Sequence, residues 1–227
     1  MSNIVKIGKN TLDLLKNFSG INNAIIVKPG NEISTVSIHK TIVAFATVPE
    51  DFPVQFGIYD LNNFIATVNL FDDPEIEFHP THMTITGGAS KCSYGYADEQ
   101  VVMSPKNRIK FPDSDVDFEL SKDTFDRFMK ASSTLGLPLM SITKDEKSNI
   151  LIKAVDPKNP NANAFSVVVG QDLSDNTYNF LVTTDNLKMV RGDYKVSISR
   201  QNLCRFAATD IEYFVALEKS STFVKGE

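Results

Sequence analysis

Three histidines and two cysteines are the residues of this chain whose types best suit metal or nucleophilic chemistry. His79 and His82 could bind a metal ion, but Pro80 lies between them and no third ligand is indicated, so a surface turn is the better interpretation. Cys92 and Cys204 lie far apart, without a CxxC spacing and without an activating histidine nearby in sequence. We therefore predict neither a metal site nor a disulfide framework.

A run of alternating aspartates imitates the start of a calcium-binding loop. Asp113, Asp115 and Asp117 have the right spacing, but the sixth position is Phe118 instead of glycine and the twelfth is Thr124 instead of a bidentate carboxylate. The sequence also has no glycine-rich phosphate loop and no G-x-S-x-G turn. We predict a protein that is not an enzyme and needs no cofactor.

The composition is that of an ordinary globular protein with a moderate negative charge. There are 23 basic and 28 acidic side chains, a net charge of −5, and 42% hydrophobic residues. This balance argues against binding nucleic acid through a uniformly basic surface. No stretch resembles a signal peptide or a membrane span, so we expect no membrane association and a cytoplasmic location.

A short motif near the start of the chain returns just past its middle. Lys9-Asn10-Thr11-Leu12-Asp13 recurs without gaps as Lys122-Asp123-Thr124-Phe125-Asp126, 113 residues later in a 227-residue chain. A repeat of domain size predicts two similar modules side by side. Such modules build assemblies more readily than they build one catalytic cleft.

Each copy of the motif begins an amphipathic helix. The first helix is predicted over Lys9–Phe18 after Gly8, and the second begins after Ser121, a good N-cap. Each half then has a strand that leads into another predicted helix, one at Asp60–Val68 and one after Thr184. In this last helix we expect Leu187 and Val190 to face inward and Lys188 and Arg191 outward.

The remainder of the sequence consists of short β-branched or aromatic runs separated by turn residues. Few helices at matching places in each half predict an α+β fold, with helices on one face of antiparallel sheet. Two prolines and a sharp charge reversal mark Ser104–Asp117 as an extended surface linker. We accordingly predict domains at 1–108 and 109–227.

Several segments, in order and spacing along the whole chain, resemble the DNA polymerase sliding clamps of T-even-type bacteriophages. The segments that carry the resemblance are Leu14-Leu15-Lys16-Asn17-Phe18, Ile58-Tyr59-Asp60-Leu61-Asn62-Asn63-Phe64, Asn176-Thr177-Tyr178-Asn179-Phe180, Gly192-Asp193-Tyr194-Lys195 and Tyr213-Phe214-Val215-Ala216-Leu217-Glu218. The resemblance implies two tandem processivity-clamp domains, with helices lining a ring and sheets forming its outer wall. It further implies a homotrimer that encircles duplex DNA and tethers the replicative polymerase.

The same resemblance implies further partners: an ATP-dependent clamp loader and, for late transcription, sigma-like and co-activator proteins. The site of action would be the cytoplasm of the infected bacterial host. If the polar helix faces line the hole, the residues expected to face DNA are Lys9, Lys16, Lys122, Lys130, Lys188 and Arg191. The helix Asp60–Val68 has no basic residue to contribute.

The resemblance to clamps also implies that partner proteins dock as short peptides with an apolar plug, in a groove near the domain linker. The candidates for this groove are Ile109, Phe111, Pro112, Val215 and Leu217. Val215 and Leu217 could equally be core strand residues, and the linker could be only a linker. The lysines, too, could be solvated helix faces without any DNA contact.

Two other classes of function stay open at this stage. A phage structural or assembly protein could use duplicated β-rich modules to pack against its own copies. A hydrolase could be built at the module junction, but no coherent set of acid, base and nucleophile supports it.

Overall fold

The computed structural model describes residues 3–159 and 161–226, and they separate into two compact units. The first unit ends at Arg108 and the second begins at Ile109. Three α-helices and seventeen strands are present among the described residues, which confirms the predicted α+β class. No described helix has the length and apolar character needed to cross a membrane.

The first unit contains two helices and eight strands. Its helices are α1 (Lys9–Ser19) and α2 (Leu61–Val68). Its strands are β1 (Ile4–Val5), β2 (Ile25–Val27), β3 (Gly30–Val36), β4 (Ile42–Phe52), β5 (Phe56–Ile58), β6 (Glu75–Phe78), β7 (His82–Gly87) and β8 (Ser90–Gly95). All the strand pairs are antiparallel: β3 pairs with β4, β2 with β5, and a four-stranded sheet has the order β1-β6-β7-β8.

The second unit contains one α-helix, α3 (Lys122–Leu135), which packs on two strands of a five-stranded sheet. That sheet has the order β12-β11-β10-β13-β17, and a second group has the order β16-β15-β14-β9. The bounds are β9 (Val116–Leu120), β10 (Leu139–Lys144), β11 (Asn149–Val155), β12 (Phe165–Gln171), β13 (Thr177–Thr183), β14 (Tyr194–Ser199), β15 (Leu203–Ala207), β16 (Ile211–Ala216) and β17 (Thr222–Val224).

The predicted caps of all three helices are present. Asp60 accepts a 2.9 Å hydrogen bond from the backbone N–H of Asn63, and Ser121 accepts one of 3.3 Å from that of Thr124. Gly8, which has no side chain to offer, lies at the N-cap of α1 in extended conformation. Each helix buries apolar residues along one face, with Phe18, Phe64 and Phe128 at most 1% exposed.

The predicted helix after Thr184 is wrong, because only a 3₁₀ turn forms there (Thr184–Asn186). Leu187 and Met189 are buried, whereas Lys188 and Val190 are exposed, which is the alternation of an extended chain and not of a helix. The side chains of Tyr194 and Tyr213 explain the difference. Both of their hydroxyls bind the backbone of Val190, Tyr213 by accepting from its N–H at 3.1 Å and Tyr194 by donating to its carbonyl. These bonds replace the bonds that a helix would make within itself.

Candidate nucleic-acid interface

Lys9 and Lys16 lie on the exposed face of α1, as the sequence predicts. The Lys16 ammonium donates a 2.6 Å hydrogen bond to the side-chain oxygen of Asn62 on α2, and Ser19 donates to the same oxygen at 3.1 Å. Lys16 therefore lies at the junction of the two helices. The positive charge of Lys16 thus lies beside the surface of α2, which has no basic residue of its own.

A network of neutral amides fixes this junction. The Asn62 amide donates to the side-chain oxygen of Asn23 at 2.8 Å. Nearby, Asp60 caps α2, and the hydrogen bonds that it accepts from the Asn63 backbone and from Asn23 lower the pKa of its carboxyl. The Asn62 side chain is thus fixed by Asn23 at its amide nitrogen and by Ser19 at its oxygen. This defines where the Lys16 ammonium lies.

The face of α3 carries a different arrangement. The Lys122 ammonium donates to Asp126 at 2.9 Å, one helical turn further along, and this hydrogen bond raises the pKa of Lys122. Arg191 brings its Nε to 3.4 Å from the other oxygen of Asp126, and its guanidinium lies 4.6 Å from the centre of the buried Phe125 ring. One carboxylate therefore engages two of the six cations expected to face DNA.

The structure gathers some of the predicted DNA-facing residues and separates others. Arg191 reaches α3 although its own segment is not helical, and Lys188 is exposed on that segment. Lys9 and Lys130 are exposed and have no ion-pair partner within residues 3–159 and 161–226. Of the candidate residues, Asp126 thus engages Lys122 and Arg191, a neutral amide holds Lys16, and no carboxylate pairs with Lys9 or Lys130 among the described residues.

Two contacts important for this geometry, those of Asp126 and of Asn62, were not predicted from the sequence. Asp126 shares the polar face of α3 with Lys122, and their four-residue spacing was the available signal. Asn62 lies 46 positions from Lys16 in sequence, and no local pattern could have joined the two.

The candidate residues of the partner-peptide groove differ in accessibility. Ile109, Phe111 and Pro112 are partly exposed, and the Phe111 ring lies 6.4 Å from that of Phe214. Val215 is fully buried in β16 and Leu217 is 7% exposed, so both have the burial of core strand residues. The surface available to a partner is that of the linker residues.

The residues first considered for chemistry occupy structural positions. The rings of His79 and His82 stack 4.6 Å apart at the β6–β7 turn, and His79 lies 3.1 Å from the Thr84 hydroxyl. No group of three metal-ligating side chains occurs in the part of the chain that the structure describes. Cys204 is completely buried, which raises the pKa of its thiol.

Comparison with known proteins decides the family. Residues 7–104 match the family described as "DNA polymerase processivity factor", and residues 117–219 match "gp45 sliding clamp, C terminal". The sliding clamp of Vibrio phage KVP40 is 33% identical over 94% of this chain and 99% of its own length. This chain belongs to the sliding clamp family. The sliding clamp of Enterobacteria phage T4 is 30% identical over 96% of this chain and 99% of its own length.

Solved clamps share the fold at low sequence identity. The chain superposes on PCNA of A. fulgidus, solved with the C-terminal region of FEN-1, with a TM-score of 0.70 at 12% identity, covering 96% of this chain and 98% of that one. The DNA polymerase III subunit beta of Pseudomonas aeruginosa gives 0.69 at 12% identity, covering 96% of this chain and 65% of that one. The predicted tandem clamp domains are thereby confirmed.

Family membership also answers two questions that the sequence left open. The protein is a sliding clamp, a DNA polymerase processivity factor of bacteriophage DNA replication, with DNA and a DNA polymerase as its partners. The prediction that it is not an enzyme is confirmed, since clamps act by binding. The family excludes the hydrolase and favours the clamp over a phage assembly protein.

Proposed function

We propose that three copies of this chain form a closed ring around duplex DNA, with 1–108 and 109–227 as the two clamp domains of each copy. The exposed faces of α1, α2 and α3 line the hole, and an ATP-dependent clamp loader opens and closes the ring. The observation that carries the proposal is that the same motif begins α1 and α3, and in both helices it presents lysines to solvent.

The charge distribution supports enclosure over tight binding. Each chain has a net charge of −5, yet α1 presents Lys9 and Lys16 against a single carboxylate, Asp13. A basic lining inside an acidic ring attracts phosphates only within the hole. Because each neutralised phosphate adds about −0.9 to the salt dependence of binding, a few loose lysine contacts hold DNA without stopping it from sliding.

Free sheet edges supply a way to assemble the ring. β8 is an outer strand of the four-stranded sheet in the first unit, and β12 is an outer strand of the five-stranded sheet in the second. Such edges leave backbone donors and acceptors available to another chain. Pairing β8 of one copy with β12 of the next is a heterologous contact, which can close into a ring.

A charged substitution on one edge tests this assembly. Val168 on β12 is 53% exposed, and Val224 on β17, the opposite outer strand of the same sheet, is 64% exposed. We expect Val168→Lys to convert a trimer to monomers in light scattering, while the matched variant Val224→Lys stays trimeric. Trimers in both variants would contradict pairing at β12, and monomeric wild-type protein at working concentration would contradict the ring.

We also propose that the polymerase, the clamp loader and the sigma-like and co-activator proteins of late transcription bind through apolar peptides at the linker. The partial exposure of Ile109, Phe111 and Pro112 supports this site. Val215 and Leu217 are buried and would form the wall behind these linker residues. Phe111→Ala should weaken polymerase binding in titration calorimetry without changing the trimer. Unchanged binding would place the site elsewhere.

Retention on DNA tests the topological part of the proposal. The protein should act in the cytoplasm of the infected bacterial host, because its relatives are sliding clamps of bacteriophages. After loading, it should stay on a nicked circular duplex through gel filtration and leave when the circle is cut. Equal retention on both DNAs would indicate ordinary binding instead of enclosure.

A further inference from the structure

Asp126 occupies a central position among the proposed DNA-facing cations of the second unit. Its two carboxylate oxygens lie 2.9 Å from the Lys122 ammonium and 3.4 Å from Arg191 Nε. The three side chains are 39% to 55% exposed, so the cluster is open to solvent and to any ligand that approaches the face of α3. The buried Phe125 ring below the guanidinium keeps Arg191 close to the carboxylate.

A carboxylate and a DNA phosphate compete for the same hydrogen-bond donors on these cations. Lysine and arginine donate charge-assisted hydrogen bonds to either oxyanion, and the donors that Asp126 occupies are not available to DNA. An exposed ion pair is weak, however, so phosphates can displace Asp126 reversibly. Asp126 therefore lowers the number of phosphates that the second unit holds at any moment.

The first unit shows that this arrangement does not follow from the repeat. Asp13 stands four residues after Lys9, just as Asp126 stands four residues after Lys122. Asp13 is exposed, and within residues 3–159 and 161–226 it forms no ion pair with Lys9. Among the described residues, only the second unit, which adds Arg191 from a separate segment, pairs its candidate DNA-facing cations with a carboxylate.

We propose that Asp126 is an internal competitor for DNA phosphates, which limits the contacts of Lys122 and Arg191 and so reduces the drag on the sliding ring. The inference rests on the proposed function, because it needs the α3 face to meet DNA. It assigns to an acidic residue a role in tuning a phosphate-binding surface. It also predicts that removing a carboxylate here changes DNA binding more than removing one elsewhere on the lining.

The test is the salt dependence of binding to a short linear duplex, which the intact trimer can thread. Asp126→Asn should make the slope of log affinity against log salt more negative, by up to about 1.8, because each of the two cations can gain a phosphate contact worth about −0.9. Asp126→Ala, at an exposed helix position that tolerates alanine, should give the same direction. The matched control Asp13→Asn removes an equal charge and should change the slope by less than half as much.

A second background separates the proposed cause from net charge. In Lys122→Gln/Arg191→Gln protein, Asp126→Asn should change the slope no more than Asp13→Asn does in the wild type. Equal slopes for Asp126→Asn and Asp13→Asn in the wild-type background would overturn the role of Asp126. If Lys130→Gln also left the wild-type slope unchanged, the α3 face would not meet DNA, and the proposed function would fail together with this inference.

Discussion

The two units cap the backbone N–H groups at the start of their equivalent helices, α1 and α3, in different ways. In the second unit Ser121 caps α3, and its hydroxyl also donates to Thr124 at 2.9 Å. In the first unit glycine stands at the same place before α1, and the carboxylate of Glu50 from β4 accepts from the Gly8 N–H and from the Thr11 hydroxyl, both at 2.6 Å. A tertiary contact thus replaces a local one.

The polar faces of α1 and α3 also differ in the partners of their cations. In the first unit a neutral amide holds Lys16 and no carboxylate pairs with Lys9 among the described residues. In the second unit Asp126 engages Lys122 and Arg191. Both units keep the motif at the start of a helix, but the partners of the charged side chains on the two helices differ. The shape of the proposed lining is therefore repeated more closely than its available charge.

The largest expected difference between the units concerns burial at one position of the repeat. Phe125 is completely buried against Tyr194, whereas the equivalent Leu12 is only half-buried. Phe125→Ala should lower the free energy of unfolding by about 3–5 kcal/mol and Leu12→Ala by about 1–2 kcal/mol. Denaturant titration measures both, and equal losses would contradict the asymmetry of the two cores.

The next effect concerns the cap of α1. Glu50→Ala removes the acceptor of two hydrogen bonds at this helix start, and we expect a loss of about 1–2 kcal/mol, against about 1 kcal/mol for Ser121→Ala in the second unit. Gly8 has a φ of −72°, which serine adopts without strain. Adding Gly8→Ser to Glu50→Ala should recover part of the loss.

Thermal unfolding of these cap variants provides the check. Glu50→Gln keeps an acceptor oxygen and should lose less than Glu50→Ala. If Gly8→Ser does not improve the Glu50→Ala protein, Glu50 acts through something other than the cap.

The smallest effect concerns the amide that holds Lys16. Asn62→Ala releases the ammonium from an exposed neutral acceptor, so the free energy of unfolding should fall by only about 0.5 kcal/mol. The salt slope of DNA binding should change less than it does in Asp126→Ala, because an amide competes with phosphate more weakly than a carboxylate. Measuring both slopes side by side sharpens the comparison, and a larger change for Asn62→Ala would reverse it.

The sequence predicted best the features that depend on neighbouring residues. The helix period and Ser121 located α3, and runs of β-branched or aromatic residues bounded by turn residues located β11 and β14. β6 was not predicted, although Glu75, Ile76, Glu77 and Phe78 alternate between polar and apolar residues, as a strand with one buried face should. The segment after Thr184 was misassigned because the hydroxyls of Tyr194 on β14 and Tyr213 on β16 bind the backbone of Val190. The contact with Tyr213, 23 positions away, has no local signal in the sequence.

For the candidate site, too, the sequence predicted local features and not tertiary contacts. Exposure of the lysines followed from the helix period, because polar residues on an amphipathic helix face solvent. The contacts of Arg191 with Asp126 and of Lys16 with Asn62 join residues 65 and 46 positions apart, so they depend on the tertiary fold. Charge on a face can be counted from sequence, but the charge left available to DNA cannot.

The central claim is that α1 and α3 of every copy face the same duplex, and charge reversal on both helices tests it most directly. Lys16→Glu/Lys130→Glu protein should remain trimeric by light scattering. Primer extension by the polymerase with the clamp loader present should yield much shorter products than with wild-type protein, because phosphates now meet carboxylates inside the ring. Products of wild-type length from a folded, trimeric double variant would contradict the claim.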